Sequence, residues 1–271
     1  MNQDQVKELL LKIEGNVEDF SVILTGKKSN KVDGLYYPDQ KEIIIHNHNF
    51  NEDSQLIYTA IHEFAHHLHH TRSTVPVSTR AHNAKLWDIF HKLLFAAEEK
   101  GLYSNIFKND SRFIELTRKI RENYLAASGS LMKELGELLV KAHELCEEHG
   151  ACFDDYVDRE LLLHRTAART LMKVHSYGIR PDIGYENMKT VASIRDDGYR
   201  AKAEEAFTEG KTPDMVRTEF AARNRSGSGL DTLMQERDRI ERSIDILTKK
   251  LVKIERQIND LKYEDRPRGK R

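Results

Sequence analysis

Two histidines four positions apart, with a carboxylate beside the first, occur at His62-Glu63-Phe64-Ala65-His66. On a helix, residues four apart sit one turn above each other, so both imidazoles can grip one ion. Glu63, next to the first imidazole, is angled to hold a water on that ion. Neutral imidazoles, a d¹⁰ ion such as Zn²⁺ and a carboxylate base are the parts of metal-assisted peptide hydrolysis. A further histidine, His82, follows sixteen residues after His66, at the start of the next expected helix, where a third ligand can approach. His67, His69 and His70 crowd the same stretch and read as solvated or supporting groups. His46 and His48, at the end of a strand, are candidates to line the cleft.

The elements that must position these groups follow from periodicity. Residues 1–16 read as an amphipathic helix. The β-branched runs 21–25 (SVILT) and 42–45 (EIII), with Gly34-Leu35-Tyr36-Tyr37 between them, predict three short strands. The simplest arrangement is an antiparallel meander, with Gly26-Lys27-Lys28-Ser29 as a hairpin turn. From Ser54 the pattern is helical: Ile57, Ile61, Phe64, Ala65 and Leu68 form one stripe over 54–70. Further helices are expected over 80–100, with Trp87 as a core anchor, over 111–126 and over 130–148. Ser128-Gly129-Ser130 lies between the last two as a break.

The residues Gly-Leu-Tyr-Tyr, Glu-Ile-Ile-Ile, His-Glu-Phe-Ala-His and His-Asn-Ala-Lys-Leu-Trp together resemble the SprT-like, minigluzincin-type zinc metallopeptidases over roughly residues 20–100. The resemblance implies His62, His66 and His82 as zinc ligands and Glu63 as general base. Asn83 stands where that family often has Gly, and the insert before His82 is longer than in its shortest members. In related peptidases whose third ligand is a glutamate, that residue lies on the following helix, which makes Glu98 or Glu99 the alternative.

Charge is segregated although the net value is only -1: residues 128–158 hold 2 basic against 8 acidic side chains. After them, 152–178 reads as two short helices meeting near Leu162-Leu163-His164, compatible with a helix-turn-helix. Arg165, Arg169 and Lys173 recur four apart along the second helix and suit phosphate contacts. The run through Glu209-Gly210-Lys211-Thr212 faintly resembles helix-turn-helix modules of bacterial partition and phage proteins, so DNA is a candidate partner. After a flexible stretch at Arg225-Ser226-Gly227-Ser228-Gly229, a heptad places Leu230, Arg237, Ile244, Leu251 and Ile258 on one seam. Leu233, Ile240, Leu247, Ile254 and Leu261 hold the other. Nine of these ten positions are apolar, which predicts a coiled coil and, most simply, a homodimer. The ending EDRPRGKR reads as a disordered basic tail.

The fold expectation is therefore α+β. A small antiparallel sheet packs on the His-Glu helix in a zincin-like domain at 1–127. A helical domain at 128–225 and a linker, coiled coil and tail at 226–271 follow. No run approaches the ~20 uncharged apolar residues of a membrane span. The first residues lack the basic start and cleavage site of a secretory signal. Two cysteines, Cys146 and Cys152, cannot build a disulfide framework or a four-thiolate site, which suggests a cytoplasmic protein. The functional expectation is a zinc-dependent peptidase acting on a protein or peptide substrate. The alternative is a DNA-binding regulator whose metal site is structural or vestigial.

Overall fold

The computed structural model describes residues 1–74, 77, 82–221 and 229–264, mostly helical with one small mixed sheet, an α+β architecture. Contacts divide the chain into two compact units, Met1–Asn224 and Arg225–Arg271. The stretch expected as a linker around Ser226 and the basic ending from Asp265 lie outside the described residues, as does most of the segment 75–81. Among the described residues no helix is long and apolar enough to cross a membrane.

Helix α1 (Gln3–Ile13) starts at Asn2, whose side chain accepts from the Gln5 N–H while the Gln5 side chain accepts from the Asn2 N–H. This reciprocal cap satisfies two of the backbone donors that a helix start leaves unpaired. Strands β1 (Ser21–Leu24), β2 (Gly34–Tyr37) and β3 (Glu42–Ile45) fall where the sequence placed them. Their arrangement corrects the expected meander. The order is β1-β3-β2, with β1 parallel to β3 and β2 antiparallel to it. The stretch after Gly26 is therefore no hairpin turn. It carries the chain past the end of β3, pinned by Asn47 Oδ1 accepting from Gly26 N (2.8 Å) and Asn49 Oδ1 accepting from Ser29 N (2.8 Å).

Helix α2 (Asp53–Thr71) carries the His-Glu motif and packs across β2 and β3, while α3 (Ala84–Glu99) lies against its other side. Ala60, Ile61, Phe64, Ala65 and Leu68 are sealed among α1, Phe20, Val22, Ile43, Ile45, Leu86 and Phe90. Each of the larger of these side chains contributes about 1.5–3 kcal/mol by leaving water, so the motif helix is held by the layer's main core.

The rest of the first unit is helical: α4 (Ile106–Asn109), α5 (Ser111–Ile120), α6 (Ala127–Glu148), α7 (Phe153–Arg159), α8 (Arg165–Ser176), α9 (Tyr185–Ala192), α10 (Asp197–Thr208) and α11 (Pro213–Val216). A π-helical turn, Arg121–Ala126, joins α5 to α6, so the expected break at Ser128-Gly129-Ser130 is helix instead. Its glycine serves close packing: a Cβ at Gly129 would lie 2.3 Å from the Pro181 carbonyl oxygen. One core joins α6, α7 and α8 through Leu139, Val157, Ala168 and Leu171. A second joins α8 to α11 through Val174, Ile179, Met188, Val191 and Val216. Thr212 Oγ1 lies 3.1 Å from His91 Nδ1, linking the start of α11 to α3. The second unit contains α12 (Gly229–Glu264), 36 residues long.

Gly136 gives a test of this packing. A Cβ there would lie 2.3 Å from the Leu171 carbonyl oxygen, so α6 and α8 touch through bare backbone. Alanine normally stabilises an exposed helix interior by about 1 kcal/mol over glycine. Gly136→Ala should instead lower unfolding free energy by about 1–3 kcal/mol through overpacking, read from the urea midpoint. A raised midpoint would show that the helices do not meet there.

Candidate metal centre

The two motif imidazoles leave α2 on the face opposite its apolar stripe. His82 reaches them from the residue just before the cap of α3, where Asn83 Oδ1 accepts from the Leu86 N–H (3.0 Å). Asn83 thus starts the helix that presents His82. One nitrogen from each of His62, His66 and His82 lies within 4.8 Å of the others, and His62 Nε2 and His82 Nε2 are 3.2 Å apart. Tetrahedral ligands about 2.0–2.1 Å from one ion are separated by about 3.3 Å. The donor set could hold a metal ion.

Burial and the neighbouring imidazoles depress the basicity of the cluster. Burial first, then His82, lowers the pKa of His62 to about 4. Burial, then His62, His82, His70 and His69, lowers that of His66 to about 3. These rings are therefore neutral at physiological pH, the form that donates a lone pair. Glu63, 7% exposed, is raised by burial to about 7. Among the described residues, the buried His66 Nδ1 has no hydrogen-bond partner, so within them packing holds this ring more than polar contacts do.

These groups line one side of a cleft of about 930 Å³ whose other side is β2, with Tyr58, Thr59 and Trp87 completing it. Trp87 is half-buried and packs against the core, as expected, and its ring also lies 5.6 Å from His62 and 5.8 Å from His82, so it is a wall of the cleft as well. Sequence reading missed Gly34 as a site residue. A Cβ on it would lie 2.9 Å from both Glu63 Cγ and Thr59 Cγ2, so only glycine leaves the carboxylate its place beneath the strand. The signal was available as a glycine heading a β-branched and aromatic run, which marks close approach of another group. In the antiparallel ladder the His46 N–H donates to the Asp33 carbonyl (2.9 Å), which makes 33, 35 and 37 the residues bonded to β3. The backbone groups of Gly34 and Tyr36 consequently face the edge of β2 turned away from β3.

Other histidines have structural work. His67 is fully buried, not solvated: its Nε2–H donates to the Glu18 carbonyl (3.0 Å), leaving Nδ1 to accept from the Tyr36 hydroxyl (3.0 Å). His69 is buried too. His46 Nδ1 lies 3.0 Å from Thr25 Oγ1, and neither His46 nor His48 lines the cleft. Glu98 accepts from Asn105 Nδ2 and Lys108 Nζ, both at 3.0 Å, and is not gathered with the triad; nor is Glu99. Arg165 and Arg169 are tied to α7, the first to Asp158 and the second to Asp154 (2.8 Å), while Lys173 is exposed. None of these three lines the cleft.

The ligand assignment is checked by metal stoichiometry after dialysis against a divalent ion. The parent should hold about one ion per chain. Losing an outer-shell partner typically costs about 10–100-fold in affinity, so His62→Ala, His66→Ala and His82→Ala should each lose at least about 100-fold, while Glu98→Gln and Glu99→Gln bind as the parent does. Undiminished binding by His66→Ala would dismantle the centre.

Comparison of the chain with protein-family models, with curated proteins and with solved structures finds no match.

Proposed function

We propose that the protein is a zinc-dependent peptidase whose substrate lies along β2. The observation that carries this reading is the meeting, in one cleft, of three imidazoles, a buried carboxylate adjoining the first, and a sheet edge whose outward backbone no described residue pairs with. His62, His66 and His82 would hold the ion. When bound, zinc supplies Lewis acidity toward a carbonyl oxygen and lowers the pKa of water. Three protein ligands and an open fourth position are the pattern of catalytic rather than structural zinc.

The chain's own groups supply the rest. The backbone N–H and C=O of Gly34 and Tyr36 can pair with an extended peptide by strand addition, which fixes its direction without reading its sequence. Glu63 lies directly beneath Gly34, so the peptide bond presented at the start of β2 comes nearest the carboxylate. Glu63 takes a proton from the attacking water at one carboxylate oxygen and returns it to the leaving amide nitrogen. Tyr58 and Trp87 flank the cleft. A zincin-like relation between sheet and helix is part of this proposal. A DNA-binding regulator gains less support, because two of the three expected phosphate contacts already pair with Asp154 and Asp158.

Two substitutions test the reading against an unfolded protein substrate, with zinc content measured alongside. Glu63→Gln should keep the metal and fold while losing about 10²–10⁴-fold in turnover. Gly34→Val should also keep the metal but lose activity, since its side chain displaces the carboxylate. Equal cleavage by parent and Glu63→Gln would end the assignment of Glu63 as base.

A further inference from the structure

The second unit offers an interaction surface that the cleft does not explain. Along α12 the described seam residues Ile240, Ile244, Leu247, Leu251, Ile254 and Ile258 are all 42–64% exposed. They form one narrow line at heptad spacing, the pattern that closes on another helix. Arg237 interrupts the line and bonds to its neighbour Asp238 (2.7 Å).

We infer that α12 pairs with α12 of a second copy of this chain, and that the two run antiparallel. In a parallel, in-register pair each seam residue would face itself. That would set Arg237 against Arg237 of the partner subunit and place Ile240 and Ile254 at d positions, with Leu251 at a. Parallel two-stranded coils favour the reverse, β-branched residues at a and Leu at d; Leu at a with Ile at d shifts the preference to three or four strands. Antiparallel pairing sets every a residue opposite a d residue. With full overlap of the two helices, Ile244 faces Leu247 of the partner subunit and Leu251 faces Ile240 of the partner subunit. Each of these layers then combines one β-branched with one γ-branched side chain of equal volume.

The charges agree. In the antiparallel register Arg237 faces Ile254 of the partner subunit and lies beside Glu255 of the partner subunit, so a lone guanidinium meets a carboxylate instead of a second guanidinium. Ser243 then flanks Lys250 of the partner subunit, and Glu241 flanks Thr248 of the partner subunit, with no like-charged pair between them. The parallel register offers Lys250 with Glu255 of the partner subunit, an exposed pair that contributes little. A further consequence follows from length. A helix of 36 residues spans about 54 Å. The two Gly229 ends therefore emerge from opposite ends of the rod instead of side by side.

Disulfide trapping tests both partner and direction, in a background of Cys146→Ser and Cys152→Ser so that only introduced thiols react. Residues 237 of two antiparallel strands are about 25 Å apart along the rod, far beyond the reach of a disulfide. Oxidised R237C alone and I254C alone should stay uncrosslinked, while mixed R237C and I254C chains should yield a covalent dimer on a non-reducing gel. Light scattering of the parent should give twice 31.4 kDa, and I244E should give a monomer. Crosslinking of R237C with itself would overturn the direction. A monomeric or trimeric parent, or an I244E variant that stays dimeric, would overturn the pairing.

Discussion

A methyl group at Gly34 would lie 2.9 Å from both Glu63 Cγ and Thr59 Cγ2, so the bare backbone of the edge strand rests directly on these two side chains of the motif helix. That approach sets the geometry of the layer that carries the histidine triad. It brings the outward-facing backbone of β2 alongside the imidazoles of His62 and His66. It also brings the Tyr36 hydroxyl down to His67, which in turn holds the Glu18 carbonyl just before β1. One contact between strand and helix thus fixes both the cleft above α2 and the polar joint beneath it. A larger residue at 34 would separate the two and widen the cleft between them.

The same burial shapes the electrostatics. An isolated buried charge is expensive, so groups in such a place shift toward neutrality. Glu63 is pushed up to about 7, and His62 and His66 down to about 4 and 3. Uncharged groups packed together cost far less than charged ones, which allows His62, Glu63 and His66 to share one helix. The neutral imidazole is also the form that binds a metal ion. For His62 and His66, stability and readiness to ligate therefore point the same way, with no separate device needed to keep them deprotonated.

Much of this was legible in the sequence, and the failures have physical causes. The strands at 21–24, 34–37 and 42–45 and the helix at 53–71 announce themselves through β-branched runs and a clear apolar stripe. Strand direction does not: three four-residue strands carry the same local pattern in a meander as in the mixed order β1-β3-β2, and only the loop pinned by Asn47 and Asn49 decides. The triad was readable because the four-residue spacing and the cap residue beside His82 are local. The sequence left His67 either solvated or supporting, because its supporting role depends on Tyr36 and Glu18, distant in sequence. Ser128-Gly129-Ser130 has the composition of a linker, yet its glycine answers a close approach to Pro181 that no local pattern reveals. Glu98 lost its place as a candidate ligand for a similar reason: Asn105 and Lys108 already hold it.

The two units use apolar periodicity in different ways. On α2 the stripe is wide: Ala60, Ile61, Phe64, Ala65 and Leu68 are fully or almost fully buried, because that helix is wedged between a sheet and α3. A face that broad accepts no cation, and none of its members is basic. On α12 the line is about one side chain wide at each level and repeats every seven residues over the described positions 240–258, with charged residues on both flanks. Such a line is too narrow to cover a sheet but matches the groove of another helix. Arg237 lies within it, bonded to Asp238 and 3.6 Å from Glu241. Against a narrow partner such as a helix, its guanidinium can reach past the seam to the flanking carboxylates and stay hydrated. An arginine in that line is thus compatible with the helix–helix pairing inferred above, where a broad buried face would not accept it.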